Sequence, residues 1–292
     1  MTVSSFQRKY LRPQQLLAYA LIAAALIGAS VALSGFYGSD ADPGIDWKFT
    51  YNRAAENWRN PYNIEGVADR EPFTNPPWVL LLLPHAFLFP EHIGAAVNAV
   101  ITVVVILLVI RRYNGGWQTA LMTFTSLPFF DLMLKSNVDW IPMLALLVPP
   151  MWGLPLLAIK PHSIGAVALV WWKERNFSPW MLVPAIVIGL LSFIPYGFWV
   201  QNAGLPWNAA AWNFAPFPYF IPIGLYMLYR AYRSEDAFLA AAATPLLTPY
   251  IATYSVTAVF AFVGSKYKRE MFIVWCAYWV YFIIQGRVTG FL

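Results

Sequence analysis

Long apolar runs separated by short polar segments constrain the fold of this chain more than any other feature of its sequence. The first covers residues 14–36, and nine more follow at about 77–90, 93–110, 117–134, 138–150, 152–172, 178–199, 214–232, 236–263 and 271–285. About 20 apolar residues cross a bilayer as a helix. Only 11% of the residues are charged, against about 25% in soluble domains. We therefore predict an all-α polytopic membrane protein with about 8–11 membrane segments, forming one integral membrane domain over residues 1–292.

The basic residues predict the orientation of this protein in the membrane. Arg8, Lys9 and Arg12 precede the first apolar run with no acid among them, which places the N-terminus in the cytoplasm. That run is longer than the core of a signal peptide, so we expect a retained span in the plasma (inner) membrane. Counting spans from it places Arg111 and Arg112 outside, which conflicts with the tendency of basic residues to stay inside.

The segment between the first two runs, residues 37–75, is predicted to be an external loop. It holds half of the 14 acidic residues of the chain. Within it, apolar residues recur at three- and four-residue steps, which is typical of an amphipathic helix lying flat on a surface. Asp46 is expected at the N-cap and Asn60-Pro61 at the end. The expected apolar face is Trp47, Tyr51, Ala54, Ala55 and Trp58, and the expected polar face is Lys48, Asn52, Arg53, Glu56 and Arg59.

Prolines interrupt most of the apolar runs, as at Pro84, Pro150 and Pro161. Broken helices are tolerated in membranes where the freed backbone is buried in protein or lines a wet cavity. We therefore expect the bundle to enclose a cavity.

Two ionisable residues are candidates for chemistry. Asp46, close to Asp42, is placed to accept a proton from an acceptor hydroxyl as a general base. Capping the helix is the structural alternative, and the two roles are compatible. Lys160 lies among largely apolar residues, where a charge costs about 2.5–3.5 kcal/mol on insertion scales and marks a functional site by default. A phosphate is its expected partner, and snorkelling to the interface beside Pro161 is the alternative.

The other polar residues are weaker signals. Asp131, Lys135 and Asp139 form a polar island that salt bridges within a short loop explain without a function. His85 and His92, seven residues apart, have the spacing of a haem or metal pair, but a packed His85 and an interfacial His92 are the favoured explanation because no further ligand accompanies them. The bases flank apolar runs, as expected for lipid headgroups. We predict no metal, no cofactor and no nucleic-acid partner.

Six short segments carry a resemblance to a known family: Asp46 with Tyr51, Ala54-Ala55, Asn60-Pro61-Tyr62, Phe73-Thr74-Asn75-Pro76-Pro77-Trp78, Ile159-Lys160-Pro161-His162, and Thr248-Pro249-Tyr250 with Tyr254. In order and approximate spacing over about residues 40–255, they resemble membrane glycosyltransferases of the C-type fold. The resemblance is greatest to glycosyltransferase family 87, the polyprenyl-phosphate-mannose-dependent transferases. The loop of that family reads roughly D-x-x-x-Y, A, G-x-x-P-Y, F-x-Y-P-P, and its later segments read Lys-Pro-Gln and Ser-Pro-x-x-x-x-Tyr.

The resemblance implies an inverting mannosyltransferase that moves a mannose-like hexose from a polyprenyl-phosphate donor to an acceptor hydroxyl outside the cytoplasm. The acceptor would be a glycan or glycolipid. Asp46 would be the catalytic base and Lys160 would lie near the donor phosphate, with Arg53 or Arg59 as possible assistants. The residues implied to bind substrate are Asp42, Tyr51, Arg53, Tyr62, Asn75, Lys160, His162, Tyr250 and Tyr254.

Departures from the family pattern leave alternatives open. Asn75 stands where the family has Tyr, and His162 where it has Gln, while the Gly-Gln-x-Asn segment of the family corresponds at best to Ser136-Asn137-Val138-Asp139. A divergent donor, a divergent acceptor or a pseudo-enzyme would each explain these changes. The main alternative is a non-catalytic membrane subunit or scaffold of a larger complex. A small transporter or flippase ranks last, because the inverted repeat that many transporters show is missing.

Overall fold

The computed structural model describes residues 13–39, 43–62, 73–202 and 213–289, and every regular element in these ranges is helical. The predicted all-α class is therefore confirmed. The α-helices are α1 (Pro13–Tyr37), α2 (Arg53–Glu56), α3 (Pro84–Leu88), α4 (Glu91–Arg112), α5 (Gly116–Phe124), α6 (Leu127–Lys135), α7 (Trp140–Ala145), α8 (Pro150–Leu157), α9 (Pro161–Ile164), α10 (Val167–Glu174), α11 (Val183–Tyr196), α12 (Ile221–Ser234), α13 (Ala237–Leu247), α14 (Thr257–Lys266) and α15 (Lys268–Thr289). The other described elements are a π-helix, Asp46–Asn52, and the 3₁₀ helices Pro77–Leu82, Pro179–Met181, Trp199–Gln201 and Thr253–Val256.

Helix α4 packs against elements from both the first and the last part of the described chain. Its 22 residues make it about 33 Å long, and it contacts α1, the π-helix, α3, α5, α7 and α14. Small residues, among them Gly94, Ala95 and Ala99, line its buried face and allow neighbouring helices to approach closely. A Cβ atom added at Gly94 would lie 2.9 Å from Trp47 Nε1, so glycine makes room for that indole ring.

Prolines begin several of the helices, as the sequence predicts. Pro84, Pro150 and Pro161 each lie in the first turn of a helix. The residue before a proline avoids the α region, and Lys160, with φ −139° and ψ 71°, is such a residue. The break between α8 and α9 therefore falls at Lys160.

Helix α4 is, among the described residues, the one helix long and apolar enough to cross a membrane by length and composition. Shorter apolar helical stretches are Ala24–Tyr37, Val183–Tyr196 and Ala237–Leu247. The run at 77–90 consists of a 3₁₀ helix of 6 residues and α3, of 5 residues. At about 1.5 Å per residue, α3 covers about 8 Å of a hydrocarbon core about 30 Å thick. This run is too broken to cross as a single helix, and the number of membrane segments stays a prediction.

The helix expected in the external loop begins where predicted but is shorter and wound differently. The chain forms the π-helix and then α2, which ends at Glu56 rather than at Asn60. Ile45, not Asp46, occupies the N-cap position, and it makes no side-chain cap hydrogen bond. The prediction that Asp46 caps the helix is therefore wrong, because its carboxylate bonds instead to a side chain on another segment.

This helical segment is also part of the core rather than resting flat on a surface. Residues of both its expected faces are buried: Trp47, Lys48, Tyr51, Asn52, Ala54 and Ala55. The segment packs against α4 and α3 together, so little of its circumference remains for solvent. Trp58, expected on the apolar face, is exposed because the helix ends two residues earlier.

Candidate functional site

Asn137 lies at the centre of a buried polar cluster, where it joins an acid to a base. Its side-chain Nδ2 donates a hydrogen bond of 2.5 Å to Asp46 Oδ2, and its Oδ1 accepts one from Lys160 Nζ. The three residues are only 4–6% exposed. The carboxylate and the ammonium, which come from distant parts of the sequence, therefore meet across one amide group.

The turn that carries Asn137 is held in place by α4. Ser136 ends α6 with a left-handed φ of 52°, and Asn98 Nδ2 donates to the backbone carbonyls of Ser136 (2.9 Å) and Asn137 (3.1 Å). Trp140 Nε1 in turn donates to Asn98 Oδ1 over 2.8 Å. A buried amide is costly unless its polar atoms are bonded, and these bonds satisfy both ends of Asn98. The Asn137 side chain is thus presented by a rigid turn.

Lys160 has a second partner in the same cluster. Its Nζ lies 2.5 Å from Asp139 Oδ2, and the two side chains are 5% and 0% exposed. The Tyr254 ring centroid is 5.0 Å from the same Nζ, within range of a cation–π interaction. Asp139 Oδ1 has no hydrogen-bond partner among the described residues. The Lys160 charge is therefore neutralised inside the cluster, while one carboxylate oxygen of Asp139 remains unpaired.

The surroundings of Asp46 make its carboxyl group hold a proton more strongly than usual. Burial disfavours the charged form and raises the pKa of Asp46 above its ordinary value of 3.8, although the Asn137 hydrogen bond and the nearby Lys135 and Lys160 charges oppose this. A raised pKa brings a carboxylate nearer to the strength that a general base requires.

Three further residues predicted to bind substrate extend the cluster. Tyr51 Oη donates to Asn137 Oδ1 over 3.1 Å and accepts from Asn75 Nδ2 over 3.1 Å. Tyr62 Oη donates to the backbone carbonyl of Asn75 over 2.7 Å. Two parts of the segment 37–75, at Tyr51 and at Asn75, are thereby tied to the centre of the site.

The other predicted residues lie beside the cluster or outside it. His162 Nε2 is 3.4 Å from Ser255 Oγ, and the His162 ring packs edge-on against Tyr250, with 5.7 Å between centroids. Both belong to the segments that carry Lys160 and Tyr254. Arg53 is exposed and pairs with Glu56 over 3.5 Å, so the structure does not bring it to the cluster, and its role in binding substrate stays a prediction. Asp42 lies outside the described residues.

The sequence-based interpretation missed the partner of Lys160. Lys135 pairs with Asp131 over 3.4 Å, as the local explanation predicts, but Asp139 does not join them and pairs with Lys160. A usable signal was present, because a lysine buried among apolar residues requires an acidic partner and Asp139 is a nearby acid between two apolar runs. Asn98, alone in the apolar stretch of α4, was a second overlooked signal.

His85 is accounted for by packing. The His85 ring is buried and stacks on Trp47 with 4.7 Å between centroids, as the favoured explanation predicts. Within the part of the chain that the structure describes, no group of three or more His, Cys, Asp or Glu side chains is arranged to hold a metal ion.

Compared with family models, curated proteins and solved structures, the chain matches none. The chemistry of the site therefore follows from its geometry alone. A buried carboxylate with a raised pKa is suited to accept a proton, and a buried ammonium is suited to stabilise an anion. An amide and two tyrosines hold these groups in one small volume.

Proposed function

We propose that this chain is a polytopic membrane protein. Large apolar side chains are exposed along four of its helices, and exposing so much apolar surface to water is unfavourable. Contiguous apolar surfaces mark contact with lipid or protein. On α1 and α11 they are Leu21, Ile27, Val31, Ile186, Leu190 and Ile194, and on α12 and α15 they are Ile223, Leu225, Phe272, Ile273, Val280 and Ile283.

The distribution of charge supports an orientation with the site outside the cytoplasm. The N-terminal part of α4 borders the site, through Gly94 against Trp47 and Asn98 against Asn137. The other end of α4, about 21 Å further along, carries Arg111 and Arg112. Basic residues favour the cytoplasmic side, so the site belongs on the opposite side.

Two further basic segments of the described chain, at Lys173 and at Lys266, lie at the same end as Arg112. Tyr113 packs against Phe238 and Phe262, next to the ion pairs that Lys266 forms with Asp236 and Lys173 forms with Glu235. If the broken run 77–90 does not cross the membrane but returns to the outer side, where His85 stacks on Trp47, one span fewer precedes Arg111 and Arg112. Counting the spans then places both arginines inside, which removes the conflict. Helix α4 then runs from the outer side to the cytoplasm.

We further propose that the Asn137 cluster transfers a mannose-like hexose from a polyprenyl-phosphate donor to an acceptor hydroxyl. The single observation that carries this proposal is that Asp46 and Lys160 bond to the two ends of one buried amide. An inverting transfer needs a base for the incoming hydroxyl and a cation for the departing phosphate, a few ångströms apart. The resemblance of the surrounding segments to lipid-phosphate-dependent transferases supports the donor class.

The proposed step uses the two charged residues in succession. The Asp46 carboxylate accepts the proton of the acceptor hydroxyl, whose oxygen forms a bond to the anomeric carbon. The bond from that carbon to the phosphate oxygen breaks, and its electron pair leaves with polyprenyl phosphate. Lys160 stabilises the negative charge that grows on this phosphate, an effect worth more in the transition state than in the ground state.

Asp139 sets a condition on donor binding. Because Lys160 already has an ionic partner, a phosphate must share the ammonium with Asp139 or displace it. The described cluster is also closed, since Asp46, Asp139 and Lys160 are all buried. We therefore expect the donor to bind to an opened form in which the segment bearing Asp46 or the break at Lys160 has moved.

The same closure favours one alternative function. A network whose charges neutralise each other also suits a purely structural role, in which it holds segments of the chain together in a non-catalytic subunit or scaffold of a membrane complex. We call this role a structural latch. The two functions differ in what they require of Asp46, because a latch needs its hydrogen bond and catalysis needs its charge.

Asp46→Asn separates these functions. The asparagine retains an oxygen to accept the Asn137 hydrogen bond but is not a base. With purified protein in nanodiscs, radiolabelled polyprenyl-phosphate-mannose and a membrane extract as acceptor, we expect wild-type protein to move label out of the donor. We expect Asp46→Asn to reduce this at least about 100-fold, since general base catalysis contributes about 10²–10⁴-fold, with an unchanged thermal unfolding midpoint. Equal transfer by both proteins, or none by wild-type protein, refutes the enzymatic proposal.

A further inference from the structure

A groove between α5 and α15 lies apart from the Asn137 cluster. It has a volume of about 470 Å³, and the residues that line it include Trp117 and Leu121 from α5 and Lys268, Arg269, Phe272 and Trp275 from α15. Two hydrogen bonds join α15 to the end of α5 beside the groove, because Trp275 and Trp279 both donate to the Thr125 carbonyl, over 3.3 and 3.1 Å. From Trp117 to Thr125 the groove follows about 12 Å of helix.

Positive charge is concentrated at one end of this groove. Lys268 and Arg269 begin α15, and neither forms an ion pair or a hydrogen bond through its side chain within the described ranges. Lys268 Nζ also lies 4.0 Å from the position of a Cβ on Gly116, the first residue of α5. The amino end of a helix carries partial positive charge. Two side chains and one helix end therefore favour an anion at the same place.

The rest of the groove is apolar and aromatic. Leu121 and Phe272 are large exposed side chains on its two walls, and the Phe272 and Trp275 rings stack with 5.8 Å between centroids. A free phosphate or a soluble nucleotide would use the charged end and leave this apolar length in water. A ligand that fits both parts has an anionic head and a hydrocarbon tail.

We infer that this groove binds an anionic phospholipid, with its phosphate at Lys268 and Arg269 and an acyl chain along Leu121, Phe272 and Trp275. The inference rests on the proposed membrane location but not on the proposed transfer reaction. In the proposed orientation the charged end faces the cytoplasmic leaflet, where anionic lipids attract basic residues and basic pockets between helices bind lipid headgroups. The site would hold a lipid that fixes α15 against α5, far from the donor.

Native mass spectrometry of the full chain released from nanodiscs tests this inference. The nanodiscs contain phosphatidylglycerol and phosphatidylcholine with the same acyl chains. We expect wild-type protein to retain phosphatidylglycerol in preference, and the double substitution Lys268→Gln with Arg269→Gln to weaken that retention by up to about 30-fold, at roughly fivefold for each base near the surface. Excess glycerophosphate, which lacks the tail, should not displace the lipid.

Two further variants serve as controls. Arg230→Gln with Arg233→Gln removes the same charge from exposed positions at the same end of the protein and should leave lipid retention unchanged. Leu121→Trp narrows the groove without changing charge and should lower retention of both lipids. Equal retention by the Lys268–Arg269 variant and wild type, equal retention of both lipids by wild type, or a co-purifying protein in place of lipid would overturn the inference. Thermal unfolding midpoints establish that each variant is folded. The transfer assay, run on the same variants, tests the proposed reaction independently of lipid retention.

Discussion

Removing one partner of the Lys160–Asp139 pair should destabilise the protein far more than removing both. Asp139→Asn changes charge with almost no change in volume, and it leaves the Lys160 ammonium buried without an ionic partner. Breaking a buried pair in this way costs about 3–5 kcal/mol. The 2.5 Å separation and the near-complete burial of both side chains place this pair in that class. Lys160→Met should cost at least as much, because Asp139 already has one unpaired oxygen.

The double substitution Asp139→Ala with Lys160→Met supplies the decisive comparison. Apolar replacements of similar volume for a buried pair are often neutral, or stabilising by about 1–4 kcal/mol, so we expect the double variant to be more stable than either single variant. Equilibrium unfolding in mixed micelles, followed by circular dichroism, measures these free energies. Asp131→Asn is the matched control, since its pair with Lys135 is longer and more exposed and should be worth about 0–1 kcal/mol. A cost below about 1 kcal/mol for Asp139→Asn, or a double variant that shows the sum of both losses, would refute this reasoning.

Three other predictions concern single groups. Burial raises the pKa of Asp46 above 3.8, and a general base must be deprotonated to act. Transfer should therefore be lost as the pH falls through a pKa above 3.8. A pH profile of kcat/KM whose acid limb lies at or below 3.8 would contradict the role of Asp46. Gly94→Ala should destabilise the fold by about 1–3 kcal/mol through overpacking, because the new methyl group would lie 2.9 Å from Trp47 Nε1. Measurements of the free energy of unfolding check this. Gly28→Ala, where an added Cβ atom meets nothing within 4 Å, is the control. Arg53→Gln should leave both transfer and stability nearly unchanged, since its half-exposed pair with Glu56 contributes at most about 1 kcal/mol; a loss of transfer above tenfold would return Arg53 to the site.

The sequence was informative about individual residues and less so about their partners. Asp46 stands out because it belongs to the segment that holds half of the acidic residues of the chain. Lys160 stands out because its neighbours in sequence are largely apolar. Their common partner, Asn137, has no such mark, because its importance depends on how three distant segments pack. The Asp139–Lys160 pair shows the same limit, since the nearer base Lys135 made a local salt bridge equally plausible.

The fold shows a similar division. Proline positions predicted several of the breaks between helices, including the break at Lys160, because the backbone preference beside proline acts locally. Pro155, Pro195 and Pro245 instead lie inside helices. The burial of the helical segment 46–56 was not predictable from its periodicity, since its pattern places Lys48 and Asn52 on a polar face, yet both are buried. Helical periodicity reports which residues share a face, whereas tertiary packing decides how many faces are covered. The run 77–90 is apolar enough to suggest a span, and only its conformation shows that it is too broken to be one helix.

A cryo-EM structure of the protein in nanodiscs with bound polyprenyl-phosphate-mannose tests the central claim most directly. The account predicts donor phosphate density within hydrogen-bond distance of Lys160 Nζ and the sugar between this phosphate and the Asp46 carboxylate, on the side of the protein opposite Arg112. Density for the donor at any other place, or Asp46 and Lys160 held too far apart to face one sugar, would contradict it.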